Sequence, residues 1–272
     1  MKRIVTVQDI SCVGKCSLTV ALPIISACGI ETAVLPSAVL STHTAGFSGY
    51  TFRDLTDDMP AIKDHWVKEG IKFDAIYSGY LGSTKQIEFV CDIFDECSKV
   101  TTLKIVDPAM ADHGNLYYGF DDEFVSAMKK LCGEADYILP NITEASFMTG
   151  IEYKAEYDEE YAKTMLKALS DLGAKKIAIT GIPTTLDGAP AVATAAIDAH
   201  LYSLAISANS AMASITLTIA SSFRKLSEVI PSLSLTVERS FSRTRQLPSF
   251  SRAFTLIRTE LEPRSITAKL QL

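Results

Sequence analysis

The sequence predicts an α/β protein built on a doubly wound, mostly parallel sheet. Three observations predict it. Short apolar runs rich in β-branched residues alternate with stretches of helical period. Four of the helical stretches stop at a glycine. Polar segments, several of them carrying glycine, follow the strands, and ligands sit there in open parallel sheets.

Residues 3–8 (RIVTVQ) read as a buried first strand, followed by a turn carrying Gly14. Leu18, Ala21, Leu22 and Ile25 then recur at helical spacing up to Gly29, and residues 30–35 read as a second strand. This is a βαβ opening, which requires parallel strands. A long polar connection, residues 37–53, leads to a helix over 54–69 that Gly70 stops. Residues 73–78 read as a strand, 84–98 as a helix, 102–106 as a strand and 121–131 as a helix. The strand 137–139 leads to a short helix opened by Asn141 and closed by Gly150. A longer helix, 157–172, stops at Gly173, and the strand 176–180 ends at Gly181.

The bulk properties narrow the function. The 272 residues carry a net charge of -6, against the basic surplus of a nucleic-acid binder. No apolar run approaches the ~18–20 residues that span a bilayer, and the N-terminus lacks the apolar core of a signal peptide. A cytoplasmic protein acting on a small molecule is expected, with neither nucleic-acid nor membrane partner. Cys12, Cys16, Cys28, Cys91, Cys97 and Cys132 fit no zinc spacing and are expected as free thiols, with Cys12 and Cys16 flanking a candidate ligand loop.

Five constellations sit where the strands end. Asn141-Ile142-Thr143-Glu144 is close to a capping box, and it could equally hold a phosphate or a metal-bound water at a helix N-terminus. Asp107-Pro108 is either a turn or, with Asp112, a pair of hard oxygen ligands for Mg²⁺. Ser78-Gly79-Tyr80-Leu81-Gly82-Ser83 is a glycine-rich turn in which Tyr80 could stack on a flat ring; it is not a Walker A loop. His43, between Thr42 and Thr44, is either a plain exposed histidine or a partner for a polar ring. Residues 113–118 form either a surface loop or a lid containing Tyr117 and Tyr118.

In their order, these motifs resemble the pyridoxal kinase branch of the ribokinase-like superfamily. The resemblance covers about residues 4–181. It rests on the serine after the first strand, His43-Thr44, Ser78 to Ser83, Asp107-Pro108-Ala109-Met110, and Pro140-Asn141 with Glu144, followed by Thr149-Gly150. It implies a three-layer α/β/α fold and ATP-dependent phosphorylation of the 5′-hydroxymethyl group of pyridoxal, pyridoxamine or pyridoxine. By resemblance Ser11, His43, Thr44 and Tyr80 contact the vitamer. Asp107, Asn141, Glu144 and Thr180 serve ATP, with Asp107 and Glu144 towards Mg²⁺, and Tyr117 or Tyr118 belongs to a lid. Family members are often homodimers. A hydroxymethylpyrimidine kinase of the same superfamily is the enzymatic alternative, and a non-catalytic binder of vitamer or nucleotide is the other.

One family feature has no counterpart. The Gly-x-Gly-Asp turn, whose aspartate takes the hydroxyl proton, is not found. Gly188 is the only glycine after Gly181, and Asp187 and Asp198 lie in no glycine-rich turn. Residues 183–272 hold 1 of the 14 glycines and none of the cysteines, and carry a local charge of +3. We therefore divide the chain into a kinase region, 1–182, and an atypical segment, 183–272. That segment is a divergent region with a dead or repurposed site, a separate partly disordered segment, or the product of a reading frame shifted after about residue 182. We favour the last, which makes the chain an inactive product.

Overall fold

The computed structural model describes residues 2–207, leaving aside residues 15, 28, 45, 187–188 and 199–200. Most of the atypical segment, including the aperiodic run 238–245, lies outside the described residues. The elements in chain order are β1 (Arg3–Ser11), α1 (Leu18–Ala27), β2 (Glu31–Leu40), β3 (Phe52–Asp54), α2 (Met59–Lys68), β4 (Phe73–Ser78), α3 (Thr84–Glu96), β5 (Ser98–Val106), β6 (Ala111–Asp112), β7 (Asn115–Leu116), α4 (Asp122–Gly133), β8 (Tyr137–Ile138), α5 (Ile142–Thr149), α6 (Glu159–Ser170), β9 (Lys176–Leu186), β10 (Ala189–Asp198) and β11 (Leu201–Ser207).

The main sheet runs β11-β10-β9-β8-β5-β4-β1-β2-β3. All pairings from β2 through β1, β4, β5 and β8 to β9 are parallel. The α/β expectation therefore holds. Alternate strand residues feed two cores. Val5, Val7, Ile76, Ile177 and Ile179 join the larger cluster with α2 to α6, whereas Ile4, Ala75, Tyr77 and Ala178 join a smaller one with Ala21 and Ile25 of α1. Helices thus lie on both faces, giving three layers. Fully buried residues such as Phe73, Phe94, Ile93 and Leu131 each contribute roughly 1.5–3 kcal/mol through burial.

Chain order and space order diverge at one place that matters. From β1 the chain moves outward to β2, then returns to β4 on the other side of β1. The loops after β1 and β4 therefore leave the sheet in opposite directions and open a crevice between them.

The strands differ from the sequence reading at the edges. β2 runs on to Leu40, and the polar connection contains β3, paired antiparallel with Ala38–Leu40. Pro36 is tolerated because β3 pairs only beyond it. At the opposite edge β9 does not end at Gly181. It continues to Leu186 and is followed by β10 and β11 in antiparallel order. The run Ile182 to Leu186 has the composition of a strand, and β10 supplies its hydrogen-bonding partner. Among the described residues no helix is long and apolar enough to cross a membrane.

Candidate active site

The carboxyl ends of β1, β4, β5 and β8 bring together residues that lie far apart in sequence. Glycine makes two of the approaches possible. Gly14 has φ of +113°, and a Cβ there would lie 2.8 Å from His43 Cβ. Only glycine lets the loop after β1 lie against the connection that carries His43. The contact is closed by the His43 N–H, which donates to Val13 O at 2.8 Å. A Cβ on Gly79 would fall 2.8 Å from Gln8 Cδ, so the turn after β4 lies directly on β1.

That turn is held from behind by Gln86, which is fully buried. Its Oε1 accepts from Gly82 N at 2.7 Å. Its Nε2 donates to Ser37 O, Thr56 Oγ1 and Asp54 Oδ1 at 3.0, 2.8 and 3.3 Å. Ser37 Oγ donates to Tyr80 O at 3.0 Å, and Ser83 caps α3. Tyr80 is half-buried, and its ring lies 5.8 Å from that of Phe120. Phe120 stacks in turn on Phe124 at 3.8 Å and contacts Tyr117 at 6.4 Å. An aromatic ladder thus joins the glycine-rich turn to the candidate lid. Burial, then the charge of Asp9, pushes the Tyr80 hydroxyl up to about 12.

A second feature of the site is two carboxylates. Asp107 follows β5 and is half-buried; burial pushes its carboxyl up to about 7, against the hydrogen bond from Tyr77. Glu144 is 3% exposed. Burial first, and the Asp107 charge second, hold its carboxyl well above the usual range. Glu144 also completes the capping box of α5. Asn141 Oδ1 accepts from Glu144 N at 2.9 Å, and Glu144 Oε2 accepts from Asn141 N at 2.7 Å. Glu144 Oε1 accepts from Met110 N at 3.3 Å. The capping reading of this motif is therefore met, and the Asp107 charge acts on the capping carboxyl. Asn141 Nδ2 donates to Ala111 O at 2.8 Å. Thr180 N donates to Pro140 O at 2.8 Å, which ties β9 to the start of α5.

Several residues sit differently. Asp112, offered with Asp107 as a ligand pair, has a side chain that is 54% exposed and lies 3.5 Å from His113, whereas the Asp107 charge acts on Glu144. Thr44 is exposed, and Tyr118 is wholly in solvent. Ser11 is buried, with its hydroxyl on Asp9. Sequence reasoning missed Asp9, Gln86 and Phe120. Asp9 stands in a strand, where a charged residue signals an unusual environment, and Phe120 follows a Tyr-Tyr-Gly cluster. Nothing in sequence marks Gln86, whose partners lie 30 to 49 residues away in part.

Among the described residues no group of three or more His, Cys, Asp or Glu is placed to hold a metal ion. Two carboxylates still fit Mg²⁺, which keeps several waters and is commonly shared with substrate phosphates. Two buried hydroxyls at the carboxyl edge, Thr42 Oγ1 and Ser78 Oγ, have no protein partner, as expected where a ligand supplies one.

The family model for phosphomethylpyrimidine kinase matches residues 24–201. The chain belongs to this family. The match takes in His43, Tyr80, Asp107, Asn141, Glu144 and Thr180, and leaves out Ser11. A protein from Bacteroides thetaiotaomicron assigned to the phosphomethylpyrimidine kinases, crystallised with pyridoxal, is 40% identical over 75% of this chain and 72% of its own, with a TM-score of 0.70. A second crystal form described in the same words aligns over 98% of this chain and 96% of its own at 32% identity, with a TM-score of 0.76. Pyridoxal kinase from Lactobacillus plantarum is 28% identical over 91% of both chains, with a TM-score of 0.71. Pyridoxal kinase of Dictyostelium discoideum is 25% identical over 187 residues, 66% of this chain. The match spans 60% of that relative's length. The ordered motifs are thus those of a chain whose relatives include pyridoxal kinases.

Proposed function

We propose that this chain binds a B6 vitamer and Mg·ATP across the crevice between β1 and β4, in a fold arranged to phosphorylate the vitamer's 5′-hydroxymethyl group. The observation that carries the reading is the Asp107–Glu144 pair beside the Tyr80 turn. In this reading the pair holds a cation and the turn holds a flat ring beside it. A polyphosphate cannot approach two carboxylates unaided, and Mg²⁺ removes that repulsion while relieving the burial of the pair.

The roles follow from placement. Tyr80, backed by Phe120, offers a ring face, and Ser11, His43 and Thr44 line the β1 side. Asn141 and the N-terminus of α5 offer donors and a favourable dipole to phosphate. Thr180 stands beside them on β9, and Tyr117 approaches from the loop above. Mg²⁺, when bound, neutralises charge on the transferring phosphoryl group. The chain's own residues align the hydroxymethyl group and keep water away from it.

Two observations support a second reading, in which the chain binds without turning over. The sequence carries no Gly-x-Gly-Asp turn to supply a base. Extending the Bacteroides alignment from 75% to 98% of the chain lowers identity from 40% to 32%, so the added stretch holds almost no identities. Both accord with a division into a ligand-binding region, 1–182, and a segment, 183–272, from a shifted frame. The family's description names a phosphomethylpyrimidine, which keeps the related hydroxymethylpyrimidine as a competing substrate in this reading.

Calorimetry with pyridoxal and with Mg·ADP, and chromatography of the 5′-phosphate formed from ATP, test these readings together. Binding of both ligands with product establishes the kinase. Binding without product leaves the non-catalytic binder. Absence of saturable binding to either sinks the site. Re-reading the coding DNA over codons 178 to 225 checks the frame: a Gly-x-Gly-Asp in another frame supports the shift, and its absence from all frames removes it.

A further inference from the structure

The proposed roles leave Thr143 unused, although it stands beside Glu144 and is buried. Its hydroxyl meets the hairpin of β6 and β7: Gly114 N donates to Thr143 Oγ1 at 3.1 Å. That hairpin has two residues in each strand, joined by His113 and Gly114. Both joining residues have positive φ, +49° and +79°, as a two-residue type I′ turn requires. A hairpin this short does not hold its own shape in water, so its place is set by what it docks on. Tyr153, just past α5, packs against the same glycine: a Cβ on Gly114 would fall 2.9 Å from Tyr153 Cδ1. At the base of the hairpin, Met110 N donates to Glu144 Oε1 at 3.3 Å and Asn141 Nδ2 donates to Ala111 O at 2.8 Å. Tyr117 N closes the base by donating to Met110 O at 2.9 Å. The hairpin thus fixes the start of the segment that carries Tyr117 and Phe120, whose rings lie 6.4 Å apart, and Phe120 lies 5.8 Å from Tyr80. A continuous path of contacts runs from the first turn of α5 to the ring side of the crevice.

We propose that Thr143 is a positioning residue for the ring side of the site: with Tyr153 it latches the tip of the β6–β7 hairpin to α5 and so holds Tyr117 and Phe120 in place before a ring binds against Tyr80. The inference rests on the vitamer reading above. The bonds of Glu144 and Asn141 fix only the base of the hairpin, and the tip needs its own anchor. The Thr143 hydroxyl is free for that task, because Asn141 and Glu144 already complete the capping box of α5. Ordering the aromatic segment in advance removes part of the entropy that a ligand would otherwise lose on binding. The effect is crossed: Thr143 belongs to the helix proposed to face phosphate, yet its hydroxyl acts on the ring. Two competing assignments differ in what they predict. A latch that only supports the fold lowers the melting temperature and leaves both ligand affinities in place. A hydroxyl that meets phosphate directly weakens the nucleotide instead.

The test compares the full-length chain with its Thr143→Val and Thr143→Ser variants by calorimetry, with pyridoxine and Mg·ADP as separate probes. Valine keeps the shape and removes the acceptor; serine keeps the acceptor. Thr143→Val should bind pyridoxine about 3- to 10-fold more weakly, the range for one neutral hydrogen bond, and Mg·ADP within about 2-fold of wild type. Thr143→Ser should restore pyridoxine binding. Hydrogen exchange of the unliganded proteins reads the latch itself: amides over residues 113–117 should exchange about 10-fold faster in Thr143→Val. If Thr143→Val does not fold, judged by circular dichroism, Tyr153→Leu, which loosens the tip from outside the helix, decides by the same split. Unchanged pyridoxine affinity overturns the proposal, as does unchanged exchange or a loss of Mg·ADP affinity equal to that of pyridoxine. A wild-type chain that binds no pyridoxine overturns the vitamer reading and this role with it. Pyridoxine binding that survives the loss of the latch overturns this role alone.

Discussion

Replacing Asp107 with asparagine should make the protein more stable at pH 8 and leave it nearly unchanged at pH 5. The Asp107 carboxyl stands at about 7 in the folded chain, against 3.8 for an unperturbed aspartate, with burial as the main cause. A carboxyl that is raised on folding binds its proton more tightly in the native state. The native state is then favoured while the group is protonated, and stability falls as pH rises from about 4 to about 7. The full shift corresponds to roughly 4 kcal/mol by linkage. Asp107 is only half-buried, so solvent screening reduces this to about 2 kcal/mol. Asparagine keeps an oxygen to accept from Tyr77 and removes the charge that holds Glu144 up. For a domain of this size 2 kcal/mol is about 4–8 °C in melting temperature. Thermal unfolding of both proteins at pH 5 and pH 8, in low salt, reads the difference directly. Other titrating groups cancel in the comparison. Millimolar Mg²⁺ at pH 8 should narrow the gap by stabilising the wild-type chain alone. Parallel pH slopes for the two proteins would refute the reasoning, because Asp107 would then carry no buried charge.

Three further outcomes follow from the same geometry. Glu144→Ala strips the acceptors from Asn141 N and Met110 N, so it should lower stability by about 2–4 kcal/mol and weaken Mg·ADP far more than vitamer; melting and calorimetry check both. Tyr80→Ala should do the reverse, with vitamer affinity falling about 3- to 10-fold for a lost ring contact and Mg·ADP affinity holding. Gln86→Ala removes the acceptor of Gly82 N and one donor each from Ser37 O, Thr56 Oγ1 and Asp54 Oδ1 behind the glycine-rich turn. It should cost about 3 kcal/mol, a fall of roughly 6–12 °C; a fall of less than 3 °C would mean that the turn holds its shape without it.

How much of this was legible in the sequence depended on whether the signal was local. The strand 73–78 and the helix from Thr84 to Glu96 are set by their own periodicity and by the Ser83 cap, and their bounds agree with the structure to within two residues. The Asn141–Glu144 box was legible for the same reason. β3 was not, because Phe52–Asp54 is too short to show a period and exists only through its pairing with Ala38–Leu40. The end of β9 was misplaced because Gly181 looked like a stop, whereas an antiparallel neighbour carries the strand past it. In the site, the sequence offered Asp112 as a possible companion of Asp107. Spacing along the chain left that pair and a plain turn equally open; Asp112 is largely exposed, and it is on Glu144 of α5 that the Asp107 charge acts.

The same contacts explain why a structural and a ligand-binding reading of Asn141–Glu144 do not compete. A free carboxylate at a helix N-terminus samples several rotamers and takes hydration from water. Glu144 has both oxygens fixed by backbone N–H groups and is almost wholly removed from water. Fixing it there gives up hydration, and the raised carboxyl is the measure of that loss. A capping glutamate with no other task would be expected at the surface, where its charge is solvated at little cost. Here the capping carboxylate is buried and feels the charge of a second carboxylate, Asp107, and no lysine or arginine ion pair among the described residues relieves the repulsion. Two like charges held together at the edge of a switch-point crevice make sense when a divalent cation and its phosphates complete the set. That is why the pH dependence of Asp107, its response to Mg²⁺ and the loss of nucleotide binding in Glu144→Ala should stand or fall together.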